Sequence, residues 1–480
     1  LCRSFRRDEW PRHAIIDVAP PARPGESMQT TSTMPFERGT DDTSLPAQIG
    51  KYRVLGALGE GATSEVFLCH DDFHGRDVAI KRVRGRTLGD PMEGRYFERF
   101  FEAEAALVGQ LEHPNVVQIY DAVADPEQPY LVMEYVAGGT LRQYCRPDQL
   151  LSLEMIVEIG FKCAMALDYV FRKGLIHRDV KPANLLVMQT NGNISNVKVS
   201  DFGSVLNLGS DLTQVHRVGS LAYIAPEQLE GGTLDCRADM YSLGSVLYHL
   251  IAGRPALDAP TPSAMMQQVY RARPEPLGPL RAGVTEALDA VIQCALAKRP
   301  EDRFSSWEEF AQALAGLVSN RLVPRAHTQS VLDSERFFLL RKLEFFARFG
   351  DVELWEVVHR AKWERFDFGH ALYRKGEQGR TFHVIAQGEI EVFRDGRLAA
   401  QLGSGTSVGE MAYLAPSEAL RRHSADVIVA KAATTISFNP ETIRQLSPAC
   451  RHLFDQAFIH VLVRRLHTAH ETLAHPRRIL

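Results

Sequence analysis

Residues 177–203, HRDVKPANLLVMQTNGNISNVKVSDFG, constrain this chain more than any other stretch. They set four chemically distinct groups in a fixed order: the carboxylate of Asp179, the cation of Lys181, the amide of Asn184 and the carboxylate of Asp201. A strand-like VKVS run leads into Asp201-Phe202-Gly203. One carboxylate can accept or orient a hydroxyl proton, and the lysine can neutralise a moving negative charge. An amide oxygen and a second carboxylate are hard donors suited to a divalent cation.

Phosphoryl transfer from a magnesium nucleotide needs those parts together. HRDxKPxN followed by DFG resembles the catalytic and magnesium loops of protein kinases, and Lys181-Pro182 resembles their serine/threonine branch. The resemblance implies that Asp179 positions the acceptor hydroxyl and that Lys181 stabilises charge on the phosphoryl group. It also implies that Asn184 and Asp201 hold Mg2+.

Upstream, KYRVLGALGEGATSEVFLCHD reads as strand, glycine turn, strand. Gly59 and Gly61, with Val66 beyond, resemble the kinase glycine-rich loop, and Ser64 stands where the third glycine falls. Glycines let backbone N–H groups approach phosphate oxygens. About twenty residues on, Lys81 ends a VAIK string, and the resemblance assigns it to the nucleotide phosphates. A helical pattern over Tyr96 to Leu111 offers Glu98, Glu102 and Glu104 as its acidic partner, and the family spacing from His113-Pro114-Asn115 selects Glu104. The YLVMEYV run resembles the hinge, with Met133 guarding the back of the ATP pocket and Glu134 and Val136 offering backbone groups to adenine. Gly138-Gly139-Thr140-Leu141 reads as a helix-capping turn.

Downstream, the segment from Asp201 to Ala225-Pro226-Glu227 resembles an activation segment. Arg178 beside Asp179 would favour an anionic partner, and a phosphate on Thr213, with Ser210 and Ser204 behind it, would supply one. Ser220 is placed facing the acceptor residue. Asp239 is expected to hold the catalytic-loop backbone, and Arg303 is expected to pair with Glu227.

A second pattern begins at Leu332. Two short amphipathic helices precede alternation from Phe366 to Phe438 with glycines at regular turns. Asp395-Gly396 is a hairpin signal, and an amphipathic helix follows over Arg451 to Leu466. This order resembles cyclic-nucleotide-binding domains. Gly409 and Glu410 match the start of their phosphate cassette, Glu410 being the ribose-hydroxyl residue. Alignment on Ala425-Asp426-Val427 puts His423 where the family has a phosphate-binding arginine.

The fold class is therefore α+β: a bilobal protein-kinase fold followed by a jelly-roll-like β-barrel domain with flanking helices. The boundaries read 1–48 disordered tail, 49–317 kinase domain, 318–331 linker, 332–470 cyclic-nucleotide-binding-like domain and 471–480 tail. The start, LCRSFRRDEW, lacks methionine and points to initiation at Met28 or Met34. It has no signal-peptide core. A net charge of -4 gives no global pull towards nucleic acid or anionic membrane. Seven scattered cysteines without a CxxC pair point to reduced thiols and a cytoplasmic setting. The implied cofactors are ATP and Mg2+, with a cyclic nucleotide as the second domain's ligand, and the implied partners are protein substrates. Three other readings stay open. They are a pseudokinase scaffold, a small-molecule kinase, and a degenerate sensor domain that serves for protein docking.

Overall fold

The computed structural model describes residues 45–60, 64–83, 101–125, 128–202, 221–231, 234–324 and 332–474. Several expectations lie outside them: the tail before residue 45, Gly61, Glu98, Ser204, Ser210, Thr213, Ser220, and the second half of the linker, residues 325–331. The chain divides into two compact units, Leu1–Ala105 with Tyr120–Tyr135, and Ala106–Ile119 with Val136–Leu480.

The first unit is built on a six-stranded sheet in the order β1-β2-β3-β4-β6-β5. Its strands are β1 (Gln48–Ile49), β2 (Tyr52–Glu60), β3 (Ser64–Asp71), β4 (Arg76–Val83), β5 (Ile119–Val123) and β6 (Tyr130–Glu134). Alternate side chains point to opposite faces. One face packs Phe67, Cys69, Val78, Ile80, Tyr130 and Val132 into a core. The other face is left for the residues that alternate with them. The expected helix to Leu111 is corrected: helical structure stops at Ala105 and residues 106–110 form turns. Gly109 adopts φ +68° there, a helix-terminating conformation, and Pro114 follows.

In the second unit, β7 (Gly138–Thr140), β8 (Leu185–Thr190) and β9 (Asn193–Val199) form a small sheet. This corrects the expected capping turn. Thr140 is a strand residue paired with Leu186, and its side chain makes no cap bond to the following 3-10 turn. Helices α1 (Leu153–Arg172), α2 (Pro226–Glu230), α3 (Cys236–Ala252), α4 (Pro262–Arg271), α5 (Glu286–Ala295) and α6 (Trp307–Ser319) complete this lobe. Ser152 caps α1 by accepting from Met155 N–H, and α1 is buried on nearly every side, against α3 and α6. Among the described residues no helix is long and apolar enough to cross a membrane.

The second domain begins with α7 (Asp333–Lys342) and α8 (Asp351–Arg360). A β-sheet system follows, made of β10 (Lys362–Phe366), β11 (Ala371–Tyr373), β12 (Phe382–Arg394), β13 (Arg397–Leu402), β14 (Ser407–Val408) and β15 (Asp426–Phe438). The order is β10-β15-β12-β13, with β11 on β15 and β14 on β12, all antiparallel. Asp395 (φ 51°) and Gly396 (φ 75°) make the two-residue turn between β12 and β13, both left-handed as a type I′ hairpin requires. α9 (Glu410–Leu414) and α10 (Pro440–Arg444) precede α11 (Pro448–Ala474), which is longer than the periodicity predicted. Phe454 and Phe458 pack it against Phe382 and Phe345, whereas Leu462 and Leu466, further along the expected amphipathic helix, are exposed.

Helices α7 and α8 lie on α1. Phe161 of α1 is fully buried against Phe337, Phe338 and Trp355. Beside this aromatic cluster, Lys162 Nζ donates to Asp333 Oδ2 at 2.9 Å. Ser334 donates to both oxygens of buried Glu158, from its N–H at 3.1 Å and its hydroxyl at 2.5 Å. Burial alone would raise the Asp333 carboxyl. The hydrogen bond from His359 and the charge of Lys162 outweigh it and hold the group well below its ordinary value.

Two outcomes follow from this packing. Phe161→Ala is expected to lower the unfolding free energy by about 3–5 kcal/mol, read by equilibrium denaturation. Asp333 has a depressed folded pKa, so its stabilisation is complete above the ordinary value of 3.8 and is lost as pH falls below it. Unfolding temperatures measured from pH 6 to pH 3 are expected to fall more for the parent chain than for Asp333→Asn.

Candidate active site

In the first unit, the strand register sets a row across the sheet. Gly59 pairs with Val66, Val66 with Lys81, and Lys81 with Leu131. Ala79 pairs with Met133, two residues along on the same face. Val66, Lys81 and Met133 therefore share the face opposite the Phe67–Ile80 core. Lys81 Nζ donates to both oxygens of Glu104, at 3.2 and 3.0 Å, and Glu104 is buried. A buried carboxylate held by both oxygens fixes the ammonium group in place. Glu134 closes β6, and Val136 begins the next segment of the chain.

In the second unit, the catalytic-loop candidates form one cluster. Lys181 Nζ donates to Asp179 Oδ2 at 2.6 Å. Asn184 Nδ2 donates to the same oxygen at 3.0 Å and to the Asp179 carbonyl at 2.9 Å. The loop that presents them is unusual: Arg178 has φ +66°, rare for a non-glycine residue. Asp239, buried on α3, holds that conformation by accepting His177 N–H and Arg178 N–H, each at 2.8 Å. Burial raises the Asp239 carboxyl, and these two donors and the nearby His177 and Arg178 offset part of that. Gln228 Nε2 donates to the Arg178 carbonyl from the other side at 2.9 Å.

The β8–β9 hairpin places the second carboxylate. Leu185, next to Asn184, pairs with Val199, two residues before Asp201. Ser200 closes the base by donating its N–H and its hydroxyl to the Asn184 carbonyl, both at 2.9 Å. Asp201 itself has φ +65°. Phe202 is buried with its ring 4.9 Å from that of His177. Asn184 and Asp201 offer an amide and a carboxylate. Among the described residues no group of three or more His, Cys, Asp or Glu could hold a metal by itself. Two oxygen donors fit Mg2+ carried by a nucleotide, which keeps waters and phosphate oxygens as its other ligands.

The second domain contains a cavity of about 1070 Å3 lined by Val392, Leu402, Ala412, Leu453, Gly409 and Glu410, among others. Gly409 has φ +84°, and a Cβ there would meet Tyr373 Oη at 2.5 Å, so only glycine fits. Glu410 is buried and paired with Arg465 of α11, which also donates to the Ser407 carbonyl at 2.7 Å. Its Oε2 has no partner among the described residues. His423 is buried and stacked on Tyr373 with ring centroids 3.9 Å apart. Burial lowers its pKa, so the imidazole is neutral at pH 7.

Sequence reasoning missed Ser200, Gln228, Tyr373 and Arg465. Ser200 and Gln228 act through polar contacts to backbone that no spacing announces. Arg465 had one available signal: it lies beside the cavity on a helix whose apolar pattern was visible, in an Arg464-Arg465 pair.

Arg303 is the support with the clearest energetic signature. All five of its N–H donors are used: two on Glu227 at 2.6 and 2.8 Å, and three on the carbonyls of Ala297, Arg237 and Lys298. Its side chain is 0% exposed. Arg303→Ala is expected to cost about 3–5 kcal/mol of stability, measured by denaturant unfolding, because the partner carboxylate stays behind without its cation.

Two family models match the chain: the protein kinase domain over residues 52–315 and the cyclic nucleotide-binding domain over residues 363–448. Among curated relatives, serine/threonine-protein kinase PknB of Mycobacterium leprae is 36% identical over 306 residues, covering 62% of this chain and 47% of the relative. PknB of Mycolicibacterium smegmatis is 39% identical over 267 residues, covering 54% and 41%. PknB of Mycobacterium tuberculosis (strain H37Rv) is 37% identical over 299 residues, covering 60% and 46%. The chain thus spans less than half the length of these relatives. It belongs to the protein kinase domain family and carries a cyclic nucleotide-binding domain after the kinase domain.

Proposed function

We propose that the chain is an ATP- and Mg2+-dependent serine/threonine protein kinase that acts in the cytoplasm on protein hydroxyls and is modulated by its second domain. The observation that carries this reading is the Asp179 carboxylate. One of its oxygens accepts from both Lys181 and Asn184, while the two residues before it, His177 and Arg178, are held by their N–H groups on Asp239. In this reading Lys81, held by Glu104, orients the nucleotide phosphates. Asn184 and Asp201 hold Mg2+, which neutralises charge on the phosphates when bound. Asp179 orients the acceptor hydroxyl and takes its proton, and Lys181 stabilises charge on the phosphoryl oxygens. The retained Lys81–Glu104 pair weighs against a scaffold that has lost its chemistry. Cys69, Cys145, Cys163, Cys236 and Cys450 are buried free thiols, whereas Cys294 is disulfide-bonded, which departs from the expectation of seven reduced thiols.

Autophosphorylation at Thr213 belongs to the same proposal. Its support is Arg178, whose Nε and Nη1 are buried without a partner among the described residues. A phosphate on the neighbouring segment would satisfy them.

For the second domain, the proposed ligand is a cyclic nucleotide bound through Gly409 and Glu410, weakly, because His423 brings no charge to the phosphate. Charge-assisted hydrogen bonds are worth roughly 1.5–3 kcal/mol. Calorimetry on the full chain is therefore expected to show cAMP and cGMP binding about tenfold or more tightly to His423→Arg than to the parent. Equal affinities would mean that the phosphate is held elsewhere.

The catalytic proposal is tested with radiolabelled ATP and a generic protein acceptor. Asp179→Asn is expected to lower incorporation on the order of a hundredfold or more. Equal label on both proteins would remove the enzymatic reading. Phosphopeptide mapping of active enzyme that finds no modified hydroxyl between residues 203 and 220 would remove autophosphorylation.

A further inference from the structure

Helix α8 touches both the start of α11 and the kinase lobe. On one side, Glu356 accepts Ser447 N–H at 2.7 Å and the Ser447 hydroxyl at 2.6 Å, which ties α8 to the start of α11. α11 lines the cavity, and its Arg465 holds Glu410. On the other side, the next residue back, Trp355, is fully buried and faces the kinase lobe. Its ring stands edge-on to His113 with centroids 6.4 Å apart, and Phe337 and Phe161 pack beside it at 5.0 and 5.9 Å.

His113 in turn holds the catalytic hairpin. Its far face stacks on Tyr169 with centroids 5.2 Å apart. Its Nδ1 accepts Asn115 N–H at 3.0 Å. Asn115 then grips β9 at three points. Its Nδ2 donates to the Val197 carbonyl at 2.8 Å and to Asn196 Oδ1 at 2.7 Å, and its carbonyl accepts Val199 N–H at 2.8 Å. Val117 N–H donates back to the Val199 carbonyl at 2.8 Å. Two residues beyond Val199 lies Asp201. The carboxylate assigned to Mg2+ is thus placed by a strand whose outer support is a histidine wedged between Tyr169 and a tryptophan of the other domain.

We propose that Trp355 is a positioning residue for the phosphoryl-transfer site, acting through His113 and Asn115 on β9 and so on Asp201. The inference rests on the kinase reading above for its consequence in catalysis, but not for the coupling itself. It also gives the second domain its route to the site, since α8 is fastened to the cavity-lining helix by the residue adjacent to Trp355. The indole N–H has no partner among the described residues, so the ring acts by packing and not by a hydrogen bond. Spatial continuity alone does not establish coupling, so the claim is set against measurement.

The test uses the full chain with Trp355→Leu and Trp355→Phe. Two quantities are read: amide hydrogen exchange of residues 113–117 and 193–200, and the Mg2+ concentration that gives half-maximal phosphoryl transfer. Trp355→Leu is expected to speed exchange at 193–200 at least tenfold and to raise the Mg2+ requirement at least threefold, with strands β12 and β15 as protected as in the parent. Trp355→Phe, which keeps the ring contact, is expected to restore both values. If Trp355→Leu does not fold, Asp333→Asn loosens the same helices from α1 without touching the aromatic cluster, and the same direction of change is expected. Faster exchange in α7 with unchanged exchange at 193–200, in whichever variant folds, overturns the proposal. An inactive parent with the exchange response intact removes the kinase reading and leaves this one. An active parent whose hairpin ignores the substitutions does the reverse.

Discussion

Asp239 sits inside α3, where a bare carboxylate is expensive, and spends both oxygens on the backbone N–H groups of His177 and Arg178. Those two bonds are what allow Arg178 to occupy the left-handed region, a conformation that costs on the order of 1–3 kcal/mol for a residue with a side chain. With Arg178 turned, Asp179 points to Lys181 and Asn184 and not along the loop. Asn184 then sits at the base of the β8–β9 hairpin, and the hairpin register delivers Asp201. One buried charge therefore fixes the orientation of four side chains that sequence order alone only lines up.

Much of this was legible because the chemistry is local. Asp179, Lys181 and Asn184 lie within six positions of one another, so their order already implied their grouping. Lys81 and Glu104 are far apart in the chain, and the pairing was readable only through the family spacing from His113. What could not be read were contacts made by backbone groups. Thr140 looked like a cap because its residue type suits one, but the pairing of Gly138–Thr140 with β8 took precedence. Apolar helical spacing continues past Ala105, but the chain leaves the helix there and turns through the left-handed Gly109. On α11, Leu462 and Leu466 keep the apolar period but extend beyond the barrel surface that buries Phe454 and Phe458.

The second domain gathers Gly409, Glu410 and His423 at one cavity. Gly409 and Glu410 are retained where backbone conformation and a buried acceptor demand them. Beside them stands the neutral imidazole of His423, stacked on Tyr373. Stacking holds that ring in place but contributes no charge towards a phosphate.

Where Ser334 meets Glu158, a recombination boundary carries a physical penalty. A chain cut at residue 317 would leave the Glu158 carboxylate without its Ser334 donors and the ring of Phe161 facing water on a helix built to be covered. A foreign domain grafted after that point would have to bring its own serine and aromatic ring in the right places.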